Sequence, residues 1–492
     1  MNNGRHLMRN TFVPLALPHM HTLEPDQCEQ IHLASLEVLR RTGVRVHQEE
    51  ALELLRSAGA LISDGDLARM PASLVEWALR QAPSRIGLCS RGTDRVVVPL
   101  EGKQANFGPG SDCLSYLDPR SGEKRLFTAR DEVDCIRVVD ALPQMGFVMS
   151  MGIPADTMTE SETLGGHGNV YRQQFAAMME HCTKPIVFVC DDRADCEAIA
   201  AMAAAAAGGA DRLKLNPTLL LYSEPTSPLQ HSQTATEKLL YMAEHSLPIV
   251  HSPAPMMGGT APATIAGGLV LGNAEVLSSL VIHQIKRAGA PFVYGTGLHH
   301  MDMRTSISVY GGAPEFQLAR VGVAAMGQYY GMPTWGYAGH SDSNVMDEQA
   351  AADAVFSVMI AFMTGTNLIH DVGYLEAGLT TSPEMIVFTA EVIDMVRHFC
   401  AGIELDAEAM AMEVIQRVGP GGDYLTDEHT LSHFREFWQP TLFDRQRADT
   451  WRKRGARRMS DRLREKTLAI MDSHQPEPLP DSVREEIGYI LR

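Results

Sequence analysis

Residues 218–228, TLLLYSEPTSP, set the fold reading. Leu219 to Tyr222 run without a polar break, and the run then stops at Ser223-Glu224-Pro225. A strand covered on both faces reads as a continuous apolar run, whereas a half-exposed strand alternates. Residues 248–259, PIVHSPAPMMGG, repeat the pattern: a short apolar run, then a loop rich in proline and glycine. Six further runs share it, at Ala105–Gly108, Met145–Ser150, Pro185–Cys190, Pro291–Gly295, Thr334–Ala338 and Asn367–Val372. Helical segments follow, among them Ala194–Ala207, Ala274–Ala288 and Gln349–Thr364. Eight such units predict an α/β fold, a (β/α)8 TIM-type barrel. An open, doubly wound sheet is the rival. No G-x-G-x-x-G follows the first run, which weakens a dinucleotide-binding version.

The flanks divide the 492 residues into three parts. Residues 1–103 read as an N-terminal helical cap. Helices are expected from Pro25 to near Gly43, from Gln48 to Ser57 and from Ala72 to Gln81, with a hairpin at Ile86–Cys89 and Arg95–Val98. Residues 104–405 read as the catalytic barrel and 406–492 as a C-terminal helical extension. Within the extension Arg445–Lys466 is markedly basic. It reads as a solvated amphipathic helix or as a docking surface for an acidic partner.

Composition narrows the classes. Sixty acidic against 42 basic residues give a net charge of −18, which argues against nucleic-acid binding. No run of about 18 consecutive apolar residues is present, and the N-terminal MNNGRHLMRNTFVPLALPHMH reads as no signal peptide. The eight cysteines are scattered, with no C-x-x-C. Reduced thiols in a cytoplasmic enzyme, and no zinc site, are the expectation.

In a barrel of this kind the loops after the strands carry the site. Glu224 ends the fourth run and is a candidate for a proton or substrate role; a salt bridge is the plain alternative. His340 with Asp342 resembles a base and its orienter, although the two could equally bond independently. His299, Arg304 and His370 are donors on the same loops, and Arg304 could instead pair with Asp302 or Glu315. Only 6% of the chain is aromatic, yet Tyr222, Tyr294, Trp335, Tyr337 and Tyr374 fall near strand ends. Such rings can box a quaternary ammonium through cation–π attraction. His251, Met257, Gly258 and Gly259 read as core, or as a flat face for a large planar cofactor, because glycine permits close approach. His299-His300-x-Asp302 is too weak a pattern to assign a metal.

These same segments resemble a known family. Ser223–Leu229, Pro255–Thr260, Gly339–Ser343 with Asp347–Ala350, His370–Glu376 and Gly421–Leu425 together resemble the trimethylamine methyltransferase family, in its non-pyrrolysine branch, which includes glycine betaine–corrinoid methyltransferases. The resemblance runs over nearly the whole chain, to the Ser482–Ile490 helix. It implies a barrel methyltransferase that moves a methyl group from an amine to cob(I)alamin, giving methylcobalamin on a separate corrinoid protein. It also implies a homo-oligomer. The trimethylamine enzymes of the family use pyrrolysine, whereas this sequence holds only the twenty standard residues, so a quaternary amine is the expected substrate. The chemistry agrees: a quaternary ammonium leaves as a neutral amine, so the protein need only position and desolvate it. Glycine betaine is the leading expectation, with proline betaine, carnitine and γ-butyrobetaine as alternatives. A lyase or decarboxylase built on Glu224 and His340, and a silent betaine-binding paralogue, are the rivals from other classes.

Overall fold

The computed structural model describes residues 19–20, 22–156 and 169–492. Apart from His19 and Met20, the N-terminal stretch read for a signal peptide lies outside them.

The three expected N-terminal helices form. Helix α1 (Pro25–Glu37) starts on a proline, and the Gln27 side chain accepts the Glu24 backbone N–H at 2.9 Å. Helix α2 (Glu49–Ser57) starts where the Gln48 side chain accepts from the Ala51 N–H, and α3 (Ala72–Gln81) follows Pro71. Both devices satisfy donors that a helix start leaves open, or remove the need for one. All three helices pack on one long apolar helix, α6 (Ile265–Lys286). That helix is long and apolar enough to cross a membrane, but 72% of its most apolar window is buried in the protein. It begins nine residues before the expected Ala274, because Thr264 caps it by accepting from the Gly267 N–H.

Seven short strands carry the core: β1 (Asn106–Phe107), β2 (Ile186–Phe188), β3 (Leu219–Ser223), β4 (Ile249–His251), β5 (Phe292–Val293), β6 (Trp335–Tyr337) and β7 (Leu368–His370). Each falls inside an expected run. Two parallel sheets result, ordered β5-β4-β3-β2 and β6-β7-β1. The remaining run, Met145–Ser150, forms no regular strand. It joins by single parallel bridges, Phe107 to Met145 and Val148 to Ile186, and a third such bridge links Tyr294 to Thr334. The chain is thus a mixed α/β fold with parallel sheets. Its helices α4 (Arg193–Ala207), α5 (Gln233–His245), α7 (Pro314–Tyr329), α8 (Glu348–Thr364) and α9 (Pro383–Phe399) follow the strands.

Strand geometry sorts the side chains in two, because successive residues point to opposite faces. Leu219 and Leu221 join the large apolar cluster with the helices. Leu220 joins a separate inner cluster with Phe147, Met149, Val187, Val250, Val293, Trp335, Tyr337 and Leu368, and Tyr222 packs against it. The hairpin Ile86–Cys89/Val96–Leu100 adds Ile86, Leu88, Val98 and Leu100 to that inner cluster. The Cys89 N–H donates to the Pro217 carbonyl just before β3, so the hairpin covers the amino ends of the strands. The open end is the carboxyl end.

The basic segment departs from expectation. It is two helices, Ala448–Lys453 and Met459–Ser473, broken where Gly455 and Ala456 take φ of +92° and +50°.

Candidate active site

A cavity of about 410 Å³ opens at the carboxyl ends of the strands. Its floor is aromatic. Tyr222 reaches it from β3 and stacks on Trp335 of β6, with centroids 5.2 Å apart and planes 23° apart. The His370 ring, at the end of β7, packs beside this stack, 4.0 Å from Trp335, 4.3 Å from Tyr337 and 5.4 Å from Tyr222. Tyr310 extends the wall, 5.7 Å from Tyr337, 5.0 Å from His340 and 5.2 Å from Phe316.

Acidic groups sit against these rings. The Tyr222 hydroxyl donates to Glu224 and the Tyr310 hydroxyl donates to Asp371. Burial raises the Glu224 carboxyl above the ordinary range, against the bond from Tyr222. Burial pushes Asp371 up to about 7, the Tyr310 bond opposes that, and nearby Glu224 adds to it. Burial also raises Asp112, which lines the same cavity. His370 is held neutral, well below the usual imidazole range, because burial disfavours its charge. Its Nδ1 lies 3.0 Å from the Gly336 carbonyl, which can only accept, so Nδ1 carries the proton. Nε2 is then a lone pair facing Asp371 Oδ1 at 3.3 Å. A protonated Asp371 suits that contact, in keeping with its raised pKa.

The backbone bends sharply here. Asp371 takes φ +75°, a left-handed conformation uncommon outside glycine. Gly110 passes close by, and a Cβ there would fall 2.3 Å from Asp371 Oδ1 and from the Tyr374 hydroxyl. Only glycine fits. The Tyr374 hydroxyl donates to the Ser111 carbonyl and lines the same side. Across from these, on α5 behind the β2–β3 side, Lys238 lines the cavity and donates to the Cys190 carbonyl at 2.6 Å. Buried Glu275 on α6 steadies the loop after Glu224, accepting from the Ser227 hydroxyl at 2.9 Å and the Leu229 N–H at 2.7 Å.

A buried cation braces the aromatic wall. Arg320 of α7 places its guanidinium 4.9 Å from the ring centres of both Phe316 and Tyr337. It donates to the Thr296 and Leu298 carbonyls, beyond the point where Tyr294 bridges Thr334. Burial lowers its pKa.

The expected residues separate into three groups. Glu224, Tyr222, His370 and Tyr374 line the cavity. Tyr337 and His340 stand behind Tyr310, and burial holds the His340 imidazole down at about 4. The rest lie elsewhere. Tyr294 donates to Asn273 at 2.9 Å and packs on Tyr330 at 5.7 Å, because its neighbour Val293 takes the inward face. Asp342 does not orient His340; its carboxylate accepts the Tyr310 and Gly311 N–H groups at 3.1 and 3.0 Å and so carries the Tyr310 loop. Arg304 leaves 88% of its side chain exposed and pairs with Asp302, so it reaches no cavity ligand. His299 has Nδ1 2.8 Å from the Gly297 carbonyl and its ring 6.4 Å from Tyr310, outside the cavity lining. His251 is fully buried and stacks on His231 at 6.2 Å, so no planar cofactor can touch it. Met257 is buried in the small strand Met256–Met257, which runs beside His299–Asp302; Gly258 and Gly259 form its exposed turn, away from the cavity lining.

Asp112, Lys238 and Tyr310 went unread. Asp112 follows Gly108-Pro109-Gly110 at the first strand end, a signal that was present. Tyr310 and Lys238 lie in a long loop and on a helix, where nothing local marks them. Among the described residues, no group of three or more His, Cys, Asp or Glu side chains is placed to hold a metal ion, and all eight cysteines are buried free thiols.

Comparison with known proteins gives the family of the chain. The family model for trimethylamine methyltransferase (MTTB) matches residues 3–492. Trimethylamine methyltransferase MttB of Desulfitobacterium hafniense is 33% identical over 94% of this chain and 91% of its own length. Glycine betaine methyltransferase of the same species is 30% identical over 89% of each chain. Trimethylamine methyltransferase MttB2 of Methanosarcina mazei is 27% identical over 95% of this chain and 93% of its own. The crystal structure of monomethylamine methyltransferase (MtmB) of Methanosarcina barkeri superposes with a TM-score of 0.50, covering 95% of this chain and 92% of that one at 14% identity, so the fold is shared. A methyltransferase whose sequence matches from residue 3 to the last, this chain belongs to the trimethylamine methyltransferase family.

Proposed function

We propose that the chain moves a methyl group from a quaternary amine, glycine betaine first, to cob(I)alamin on a partner corrinoid protein and releases dimethylglycine. The observation that carries this reading is the cavity itself: the rings of Tyr222, Tyr310, His370 and Tyr374 line it, with Glu224, Asp371 and Asp112 around them. Aromatic faces and carboxylates both attract a cation, and rings do so without demanding hydrogen bonds that a quaternary nitrogen cannot donate. The parallel bridges between residues 107 and 145, 148 and 186, and 294 and 334 support closure of the two sheets into a single (β/α)8 barrel around the cavity. The reading keeps residues 104–405 as that barrel, between cap and extension, in the cytoplasm.

The cavity has room for a small amine and not for a corrin ring, so a corrinoid belongs outside its mouth. Ala377 and Gly378 line it with the smallest side chains and leave an approach open. Cob(I)alamin brought to that mouth would supply the nucleophile for the methyl group. The protein's own residues do the rest. Tyr222 and Tyr310 hold and desolvate the ammonium, with Trp335 backing Tyr222 from the core, Asp371 and Glu224 balance its charge, and the amine leaves neutral without a proton. Replacing Tyr310 by Ala is expected to weaken binding of the quaternary amine about 2- to 30-fold, since one cation–π contact contributes ~0.5–2 kcal/mol. Calorimetry checks this, and unchanged affinity would remove Tyr310 from the cage.

With Arg304 turned away, Lys238 takes over the substrate's carboxylate. Lys238→Met is expected to cost glycine betaine about 10- to 150-fold in kcat/KM, the worth of charge-assisted hydrogen bonds of ~1.5–3 kcal/mol, and to leave choline and tetramethylammonium nearly unaffected. Equal losses for all three would mean that Lys238 only holds the Cys190 loop. The deciding test is anaerobic incubation with cob(I)alamin and a panel of glycine betaine, proline betaine, carnitine and trimethylamine. Methylcob(III)alamin is expected from glycine betaine. Methyl transfer from trimethylamine alone would overturn the substrate reading.

A further inference from the structure

Two of the eight buried thiols touch: Cys190 Sγ and Cys196 Sγ lie 3.2 Å apart. Cys190 stands two residues beyond β2 and Cys196 in α4, and the bend between them exposes Asp191 and Asp192. The pair is asymmetric. Cys190 lines the cavity, where a small solute can meet it. Cys196 is fully buried. The contact with Cys190, and then burial, holds the Cys196 thiol protonated, well above the ordinary thiol range. Cys196 is thus the donor of the pair and Cys190 the acceptor. Neither thiol has a part in the methyl transfer above.

We propose that Cys190 and Cys196 form an oxidisable dithiol, a modification site in the cavity wall that hydrogen peroxide closes to a disulfide and a thiol reductant reopens. Cys190 attacks one peroxide oxygen. An S–O bond forms, the O–O bond breaks, and the thiol proton leaves with the other oxygen as water. Cys196 then attacks the Cys190 sulfur. The S–S bond forms, the S–O bond breaks, and the hydroxyl takes the Cys196 proton as a second water. The two sulfurs give two electrons to the two peroxide oxygens. A disulfide holds its sulfurs about 1 Å closer than these stand, so closure draws Cys190 toward α4. The Cys190 carbonyl accepts from Lys238 Nζ at 2.6 Å, so the anchor of that lysine moves with it. This consequence rests on the reading of Lys238 as the holder of the substrate's carboxylate; the dithiol chemistry does not.

The full chain, reduced and then freed of reductant, is treated with hydrogen peroxide, and its cysteines are mapped by alkylation and peptide mass. Expected is a Cys190–Cys196 disulfide that dithiothreitol reopens, with the other six thiols still alkylated after unfolding. In Cys196→Ser, Cys190 should stop at the sulfenic acid and be trapped by dimedone. In Cys190→Ser, Cys196 should stay a thiol. Calorimetry then compares reduced and oxidised protein without corrinoid, whose reduced form would reopen the disulfide. Oxidation should weaken glycine betaine at least about tenfold and leave tetramethylammonium, which has no carboxylate, unchanged. Free Cys190 and Cys196 after peroxide, or equal oxidation of the other six, overturns the proposal. A mapped disulfide with unaltered betaine affinity overturns its link to Lys238. Reduced protein that binds no betaine would instead refute the substrate reading, and the cysteine map would still decide the dithiol.

Discussion

Replacing Asp371 by Asn is expected to lower kcat/KM for the quaternary amine about 100- to 1,000-fold at pH 8. The carboxylate is buried, accepts from the Tyr310 hydroxyl and faces the cavity. A charge some 4 Å from a cation in a partly desolvated site contributes on the order of 4 kcal/mol. Asn still accepts from Tyr310, so the substitution removes charge and spares shape. Steady-state kinetics with glycine betaine checks it, and a loss below about fivefold would move the charge balance to Glu224. The same group sets a pH window. Asp371 ionises near 7 in the folded protein and near 4 when unfolded, so the empty protein loses stability as pH rises from about 4 to 7 and is level above. A bound cation favours the ionised form. Affinity for the amine should therefore climb as pH rises toward 7, by up to about tenfold per unit, and then flatten. In Asp371→Asn that slope should vanish. A slope that survives belongs to another group.

Arg320→Met is expected to cost about 1–3 kcal/mol of stability, the usual loss when buried acceptors are left without their donor. The Thr296 and Leu298 carbonyls lose their donors inside the protein, and the faces of Phe316 and Tyr337 lose their cation. Lys should rescue only part of this, because a single ammonium lacks the fork that spans two carbonyls. Denaturant unfolding measures it. A cost under about 1 kcal/mol would show that water replaces the guanidinium freely.

Much of the fold was legible in the chain. Strands covered on both faces must be apolar throughout, and seven of the eight runs contain a regular strand for that reason. Starts and stops were legible too, since Pro25, Gln48 and Pro71 act on their own helices. The family-bearing loops lay where strand ends demand polar residues, and four of the fourteen named site residues, Tyr222, Glu224, His370 and Tyr374, line the cavity.

The cause that made the strands easy to find made their inward faces hard to read. A run that is apolar on both sides does not say which alternate residues point in. Tyr222 and Tyr294 look alike in sequence; one is floor and the other packs outward on Tyr330. Likewise His340 and Asp342 lie two residues apart in the chain, yet Asp342 serves the Tyr310 loop instead of the imidazole. Sequence alone determined the α/β class of the fold and the family, because buried parallel strands must be apolar throughout and the family-bearing segments are local stretches of chain. Tertiary structure decided which rings meet, that Asp371 and Lys238 face one cavity, and that Arg320 braces its wall. Those contacts join residues far apart along the chain, and only the packing of helices on strands brings them together.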